Sequence, residues 1–467
     1  MTPPVSTVTP AARARLSTGE RWAVGLVLVL FAAVGCNHIL TNAFHGQDFL
    51  LHSRSTEELI ADSSRWFPQD FTNRPLLYWI GAFAHRFGPG TLGWETASAI
   101  CIGLNTLALL LLHDSTRRFI QSPVLRVAAV AFVAFLPATQ VAVVVYAADA
   151  VCQLPFVLAS WSLLRALEAA GTRARLGYAI TGGLAFCLGD FARFTFVGLL
   201  PAAAVVLTLA WRWQRISLRQ ALAIGACALV VPGLLAGWIH LRAQREFAGQ
   251  VPHHTFNWQG TGEMTWSSLL LPKRTDGRIF DAPIYWESEE VAGKPRYFLL
   301  IDNSYSYPAL LHLSIFTDVL DYANDGELDD GTPRPEPQQI LAVESVRLGL
   351  LASLSATIAV AWFFVRCTGS VWRRALAPRT GVLVWGALAL AWYLPLVLTL
   401  PYVQHAYEWG YWLPRLVIPA LWGFALVLFA TLDELRPSYR WLGGLVAAVV
   451  AAQTLLHVGS LWYLSPA

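Results

Sequence analysis

Charge is scarce in this sequence. Only 13% of the 467 residues are Asp, Glu, Lys or Arg, about half the share of an ordinary soluble domain. Lysine is almost missing, with Lys273 and Lys294 as its only instances, so arginine carries the basic charge in the manner of a GC-rich genome. No basic stripe with interleaved aromatics is present, which argues against nucleic acid as a partner. The six cysteines, Cys36, Cys101, Cys152, Cys187, Cys227 and Cys367, all lie within or beside apolar segments and none falls in the long polar stretch 241–340. They read as small core hydrophobes rather than a disulfide framework.

What is abundant is apolar sequence. Hydrophobic residues make up 55% of the chain and the mean hydropathy is +0.49. Runs of bilayer length recur from end to end, so the excess is a series of spans and not one core. The pattern predicts an all-α polytopic membrane protein with about eleven transmembrane helices. They fall near 22–41, 92–112, 124–145, 150–168, 176–190, 194–211, 219–240, 341–365, 381–401, 412–432 and 440–462. The first apolar run follows Arg21 and lacks a clear small-residue cleavage site, so it reads as an uncleaved helix rather than a removed signal.

Arginine placement sets the expected orientation. With the N-terminus inside, every inside loop is basic: Arg13, Arg15 and Arg21; Arg117, Arg118 and Arg126; Arg165, Arg173 and Arg175; Arg212, Arg215 and Arg219; Arg366, Arg373, Arg374 and Arg379; Arg436 and Arg440. The outside turns at 138–149 and 402–414 hold no Lys, and no Arg. The C-terminus then lies outside. The chain divides into a cytoplasmic tail (1–21), a transmembrane core (22–240) that includes an outer loop (42–91), a large extracytoplasmic loop (241–340) and C-terminal helices (341–467). Loops of these two lengths usually carry function. Tyr307 to Tyr322 is amphipathic and too polar to span, so it is expected to lie along the membrane surface.

An ionisable group at membrane depth is costly and is a functional candidate by default. The candidates gather on the predicted outer side. Asp48 follows the first helix. Asp149 opens the fourth. Asp190 and Arg193 flank the turn between the fifth and sixth. His405, Glu408 and Arg415 precede or open the tenth. Asp48 and His52, four residues apart, fit one face of a short amphipathic helix. Arg74-Pro75-Leu76-Leu77-Tyr78-Trp79 reads as the start of a second, since proline suits a first helical turn. Each residue also has a plainer role. Asp48 and Asp149 suit helix N-caps, Arg193 can pair with Asp190, Arg415 can snorkel, and His52 can be a surface histidine.

Asp48, the Arg74–Trp79 motif, Asp149 in AADAVCQLPF and Arg193 in FARFTFVGLLP together resemble the GT-C fold glycosyltransferases of the protein-mannosyltransferase-like and aminoarabinose-transferase-like group (glycosyltransferase family 39-like). Tyr411-Trp412-Leu413-Pro414-Arg415 loosely echoes a late motif of that group, with a different order. The tandem Asp-Glu of the mannosyltransferases is Gln47-Asp48 here. The resemblance spans roughly 20–240 in pattern. It implies transfer of a sugar from a polyprenyl-phosphate donor to a lipid, glycan or protein acceptor, on the outer face of what is expected to be a bacterial inner (plasma) membrane. Asp48 is then the general base, Asp149 a second catalytic carboxylate, and Arg193 and Arg415 the groups that hold the leaving phosphate, because a guanidinium bonds two phosphate oxygens at once. His52, Arg74, Asp190, His405 and Glu408 are accessory candidates. A divalent metal held by Asp48 and Asp149 is the other way to meet the phosphate charge. The competing function is a transporter or flippase, which calls for paired halves with helices broken at midplane. No such repeat is evident. A non-catalytic scaffold would need no shared site among these residues.

Overall fold

The computed structural model describes residues 16–41, 49–68, 75–88, 93–144, 146, 148–247, 284–291, 294–301, 361–369, 379–399, 412–437 and 440–463, with a few single positions between 348 and 358. Asp48, Arg74, His405, Glu408 and the segment Tyr307–Tyr322 lie outside them.

Helices dominate, and local sequence explains their ends. Helix α1 (Thr18–Thr41) starts where Ser17 Oγ accepts the amide of Glu20 at 3.1 Å, an N-cap. Helices α2 (Phe49–Ala61) and α3 (Leu76–Phe87) stand between α1 and α4 (Gly93–Phe119). Helix α3 begins directly after Pro75, as the Pro-initiated motif predicts. Helix α2 starts one residue after Asp48.

The third predicted span, 124–145, is two helices. They are α5 (Pro123–Ala134) and α6 (Pro137–Val144). Pro137 is the cause, since proline has no N–H to give and its ring crowds the preceding turn. Gln140 Nε2 repairs the break by donating to the Ala134 carbonyl at 2.7 Å. Next come a 3₁₀ turn (Ala148–Val151), α7 (Gln153–Glu168) and α8 (Thr172–Ala192). A second 3₁₀ turn (Phe194–Gly198) leads into α9 (Leu199–Arg212). Helix α10 (Leu218–Glu246) opens on a complete capping box between Ser217 and Gln220, each satisfying an orphan amide of the other's end. A helical stretch over 361–369 and helices α11 (Thr380–Thr399), α12 (Trp412–Leu435) and α13 (Arg440–Tyr463) complete the described chain.

One element departs from the all-α expectation. Strands β1 (Ile284–Val291) and β2 (Lys294–Ile301) form an antiparallel hairpin, with Val291 opposite Lys294 and Ile284 opposite Ile301. IYWESEEV and KPRYFLLI are rich in β-branched and aromatic residues, and the two-residue link Ala292-Gly293 suits a tight hairpin turn. The abundance of Pro, Gly and Asp around this stretch hid that signal.

Among the described residues, five helical stretches are long and apolar enough to cross a membrane: Thr18–Asn37, Gly93–Phe119, Asp149–Glu168, Leu218–Glu246 and Val417–Leu435. Shorter apolar helices accompany them at Pro123–Ala134, Phe196–Arg212, Thr380–Pro395 and Gly443–Leu456. The chain is an integral membrane protein. Small residues let its helices approach. A Cβ at Gly183 of α8 would stand 2.7 Å from the Ala228 carbonyl oxygen of α10. The centre is filled by aromatics. Trp392 meets Phe156 and Phe196 edge-on, with ring centroids at 5.7 and 4.8 Å, and Trp385 and Trp422 are fully buried. Among the cysteines, Cys101, Cys152 and Cys187 are buried, Cys227 and Cys367 are half-buried, and Cys36 is exposed, against expectation.

Four of the arginines predicted for the inner side, Arg118, Arg126, Arg366 and Arg379, form ion pairs at one end of the bundle. Arg126 grips both carboxylate oxygens of Glu20 at 2.6 Å. Its remaining nitrogen donates to the carbonyls of Ile120 and Gln121. Asp433 accepts the amides of Gln121 and Ser122 and pairs with Arg379 at 3.1 Å. Arg366 binds Glu434, and Arg118 pairs with Glu168 at 2.5 Å.

Candidate functional site

At the opposite end, a second kind of ion pair is found. Arg193 Nη2 lies 2.6 Å from Asp149 Oδ1. Neither residue sits inside a regular helix. Asp149 is in the 3₁₀ turn before α7, whose N-cap is Cys152 rather than Asp149. Arg193 has extended backbone between the end of α8 and the next 3₁₀ turn. Interrupted helices at membrane depth free backbone and side chains to face a site instead of a groove. The Asp149 side chain is 3% exposed and that of Arg193 is 22% exposed, so the pair is closed on the carboxylate side and open on the guanidinium side. Arg193 Nε is buried with no hydrogen-bond partner. Pairing with Asp190 is the plainer alternative for Arg193, and the ion pair found is with Asp149. Asp190 lies one turn earlier on α8, but the cation reaches across to the 3₁₀ turn.

The turn that bears Asp149 is fastened from α4. Asn105 Nδ2 donates to the Ala150 carbonyl at 2.7 Å and to the Cys101 carbonyl at 2.8 Å. Sequence reasoning missed Asn105. The available signal was a lone amide in the apolar run ICIGLNTLALLLL, where a polar side chain is most useful as a link between segments.

Helices α2 and α3 are sewn onto this end by Tyr146. Its hydroxyl meets Thr56 Oγ1 at 2.8 Å and donates to the Leu77 carbonyl at 3.0 Å. Only glycine fits beside it, because a Cβ at Gly81 would stand 2.0 Å from that hydroxyl oxygen. His52 is not a surface histidine. It is 4% exposed, and its Nδ1 lies 3.1 Å from the Tyr78 hydroxyl. The outer face of α2 is therefore turned by Glu57 and Ile60, while His52 and Thr56, one turn apart, face inward. The Tyr-Trp of the motif has two jobs. Tyr78 holds His52, and Trp79 donates from Nε1 to the Trp66 carbonyl at 2.7 Å while touching Phe191 edge-on at 5.7 Å. Phe191 is two residues from Arg193.

The stretch before α3 is tied to α10. Glu246 accepts the amides of Trp66 and Phe67 at 3.0 Å. Arg242 lies 5.8 Å over the Trp66 ring, which packs on Trp238.

Of the residues singled out from the sequence, Asp149 and Arg193 are brought together. Asp190 is on α8, three residues before Arg193, and His52 is on α2 against Tyr78. Arg415 falls in the first turn of α12, with its backbone alone described. Asp48, Arg74, His405 and Glu408 are outside the described residues. The metal alternative was built on Asp48 with Asp149. Asp48 lies outside the described residues, and Asp149 faces the Arg193 guanidinium.

No protein-family model matches the chain, and no curated protein matches it. Solved structures do. The protein O-mannosyltransferase complex Pmt1-Pmt2 of S. cerevisiae, bound to the sugar donor, is 11% identical with a TM-score of 0.57, over 97% of this chain and 91% of that one. The Archaeoglobus fulgidus oligosaccharyltransferase in its apo form is 13% identical with a TM-score of 0.47. The match covers 96% of this chain, which spans 57% of the oligosaccharyltransferase. ArnT from Cupriavidus metallidurans in the apo state is 16% identical with a TM-score of 0.39, over 90% and 79% of the two chains. At such identities the likeness lies in the fold alone, and the yeast match carries it over nearly the full length of both chains: this protein has the GT-C fold.

Proposed function

We propose that the protein is a membrane glycosyltransferase that moves a sugar from a polyprenyl-phosphate donor to an acceptor at the extracytoplasmic face. The observation that carries this reading is the 2.6 Å Asp149–Arg193 pair at the end of the bundle away from the arginine-rich loops. A cation held in a partly buried, preorganised position suits a leaving phosphate, and it costs no reorganisation when the charge develops.

In the proposed reaction a nucleophilic group of the acceptor attacks the anomeric carbon as the bond from that carbon to the phosphate oxygen breaks. Asp48 takes the proton of the nucleophile. Polyprenyl phosphate departs with its charge met by Arg193, with Arg415 as a second cation. Asp149 holds Arg193 in place and so acts here as a positioning residue rather than as a second base. Arg74, Asp190, His405 and Glu408 remain accessory candidates around the same mouth. The acceptor is a lipid, glycan or protein.

The same reading puts the N-terminus and residues 1–21 in the cytoplasm of a bacterial inner membrane. About eleven crossings follow, with the segment 241–340 outside as the part that shapes the acceptor site, and 341–467 returning as the last helices. The clustering of Arg126, Arg379, Arg366 and Arg118 at one end supports this orientation.

The test is transfer by purified protein from a panel of labelled polyprenyl-phosphate sugars, with wild type and Asp48→Asn side by side. Loss of transfer in the variant is expected. Equal transfer removes Asp48 from the chemistry, and no transfer from any such donor sinks the reading as a whole.

A further inference from the structure

Gln153 is the first residue of α7, four positions after Asp149. The backbone between them is continuous. Cys152 N–H bonds the Asp149 carbonyl at 3.3 Å, and Phe156 N–H bonds the Cys152 carbonyl at 3.2 Å. The path from Asp149 to Gln153 is thus a little over one helical turn, part 3₁₀ and part α.

Gln153 is 1% exposed, and neither its Oε1 nor its Nε2 has a hydrogen-bond partner. Other buried amides nearby behave differently. Asn105 gives its Nδ2 to two carbonyls, and Gln140 gives its Nε2 to one. A buried primary amide with both ends idle is rare and calls for a cause. Leucine would pack there without the penalty. The Nε of Arg193, whose terminal nitrogen holds Asp149 four residues before Gln153, is likewise buried and idle.

The chemistry of the amide narrows the ligand. A phosphate ester oxygen accepts but does not donate, so it would fill Nε2 and leave Oε1 empty. A hydroxyl does both, accepting from Nε2 and donating to Oε1. We infer that Gln153 is a sugar-binding residue that takes one hydroxyl of the donor's sugar, beside the Asp149–Arg193 pair. This rests on the donor class proposed above and adds to it a division of labour: Arg193 for the phosphate, Gln153 for the sugar.

The experiment measures binding of two probes to the full-length protein in nanodiscs: undecaprenyl phosphate without sugar, and a panel of undecaprenyl-phosphate hexoses and pentoses. For Gln153→Leu, affinity for the preferred sugar lipid falls about 10-fold or more, while affinity for undecaprenyl phosphate changes less than about 2-fold and the melting temperature holds or rises. Arg193→Gln weakens both probes. Unchanged sugar-lipid binding by Gln153→Leu overturns the inference and leaves the donor class standing. Equal loss of both probes, or a lowered melting temperature, assigns Gln153 to structure and also overturns it. Wild type that binds neither probe overturns the donor class, and the inference falls with it.

Discussion

The two ends of the bundle use the same residue types differently. At the arginine-rich end, Arg126 spends all three guanidinium nitrogens, on Glu20 and on two carbonyls, and the Glu20 side chain is wholly buried. At the other end, Arg193 holds one carboxylate, keeps a buried Nε idle and stays partly open. A saturated pair locks helices and has nothing left for a ligand. A pair with spare donors pays less into stability and retains capacity to bind. The contrast is between these two pairs, in a fold where both are costly to place; buried Nε atoms without a partner also occur at the arginine-rich end, at Arg117, Arg118 and Arg165.

Four substitutions press on this comparison. Arg126→Leu strands the Glu20 carboxylate in an apolar setting and is expected to cost about 3–5 kcal/mol of stability. Transfer per folded molecule stays near wild type, as activity normalised to the folded fraction in detergent will show. Arg193→Gln inverts the pattern, with transfer reduced by about 100–1,000-fold and a smaller loss of stability than Arg126→Leu. Similar stability losses in both would erase the distinction between the ends. Asn105→Leu leaves the Ala150 carbonyl unpaired and lets the Asp149 turn drift. A cost of about 1–3 kcal/mol, together with a clear drop in transfer, is expected from chemical unfolding and donor-transfer assays. Tyr78→Phe removes one hydrogen bond to His52, at about 1 kcal/mol. It sharpens the comparison by showing how little the α2–α3 seam depends on any one contact, read as a small shift in thermal midpoint.

Much of the helical layout was legible, because bilayer-length apolar runs and their arginine-rich flanks are strong signals. The split at Pro137 was visible in the residue itself but was overridden by the length of the surrounding apolar run. The hairpin at 284–301 was hidden by the turn-forming residues around it. At the site, Asp149 and Arg193 drew notice because charge is rare in such sequence. Their pairing did not, since the 43 positions between them carry no periodicity that links a 3₁₀ turn to the far end of α8. His52 was misplaced for a related reason. An amphipathic segment shows which residues share a side but not which side meets the protein, and Tyr78, which receives His52, lies 26 residues away. Gln153 passed unnoticed because idle hydrogen-bonding capacity is a property of packing and leaves no trace in residue order.

The grip of Glu246 on the amides of Trp66 and Phe67 has a mechanical consequence. It clamps the last turn of α10 to the strap that leads into α3, and Trp79 of α3 leans on Phe191 beside Arg193. The end of α10 is therefore joined, through a short chain of contacts, to Phe191, two residues before the cation proposed to receive the phosphate. A load on the end of α10 passes to Trp66 and Phe67, then through Trp79 to Phe191, and so comes within two residues of Arg193.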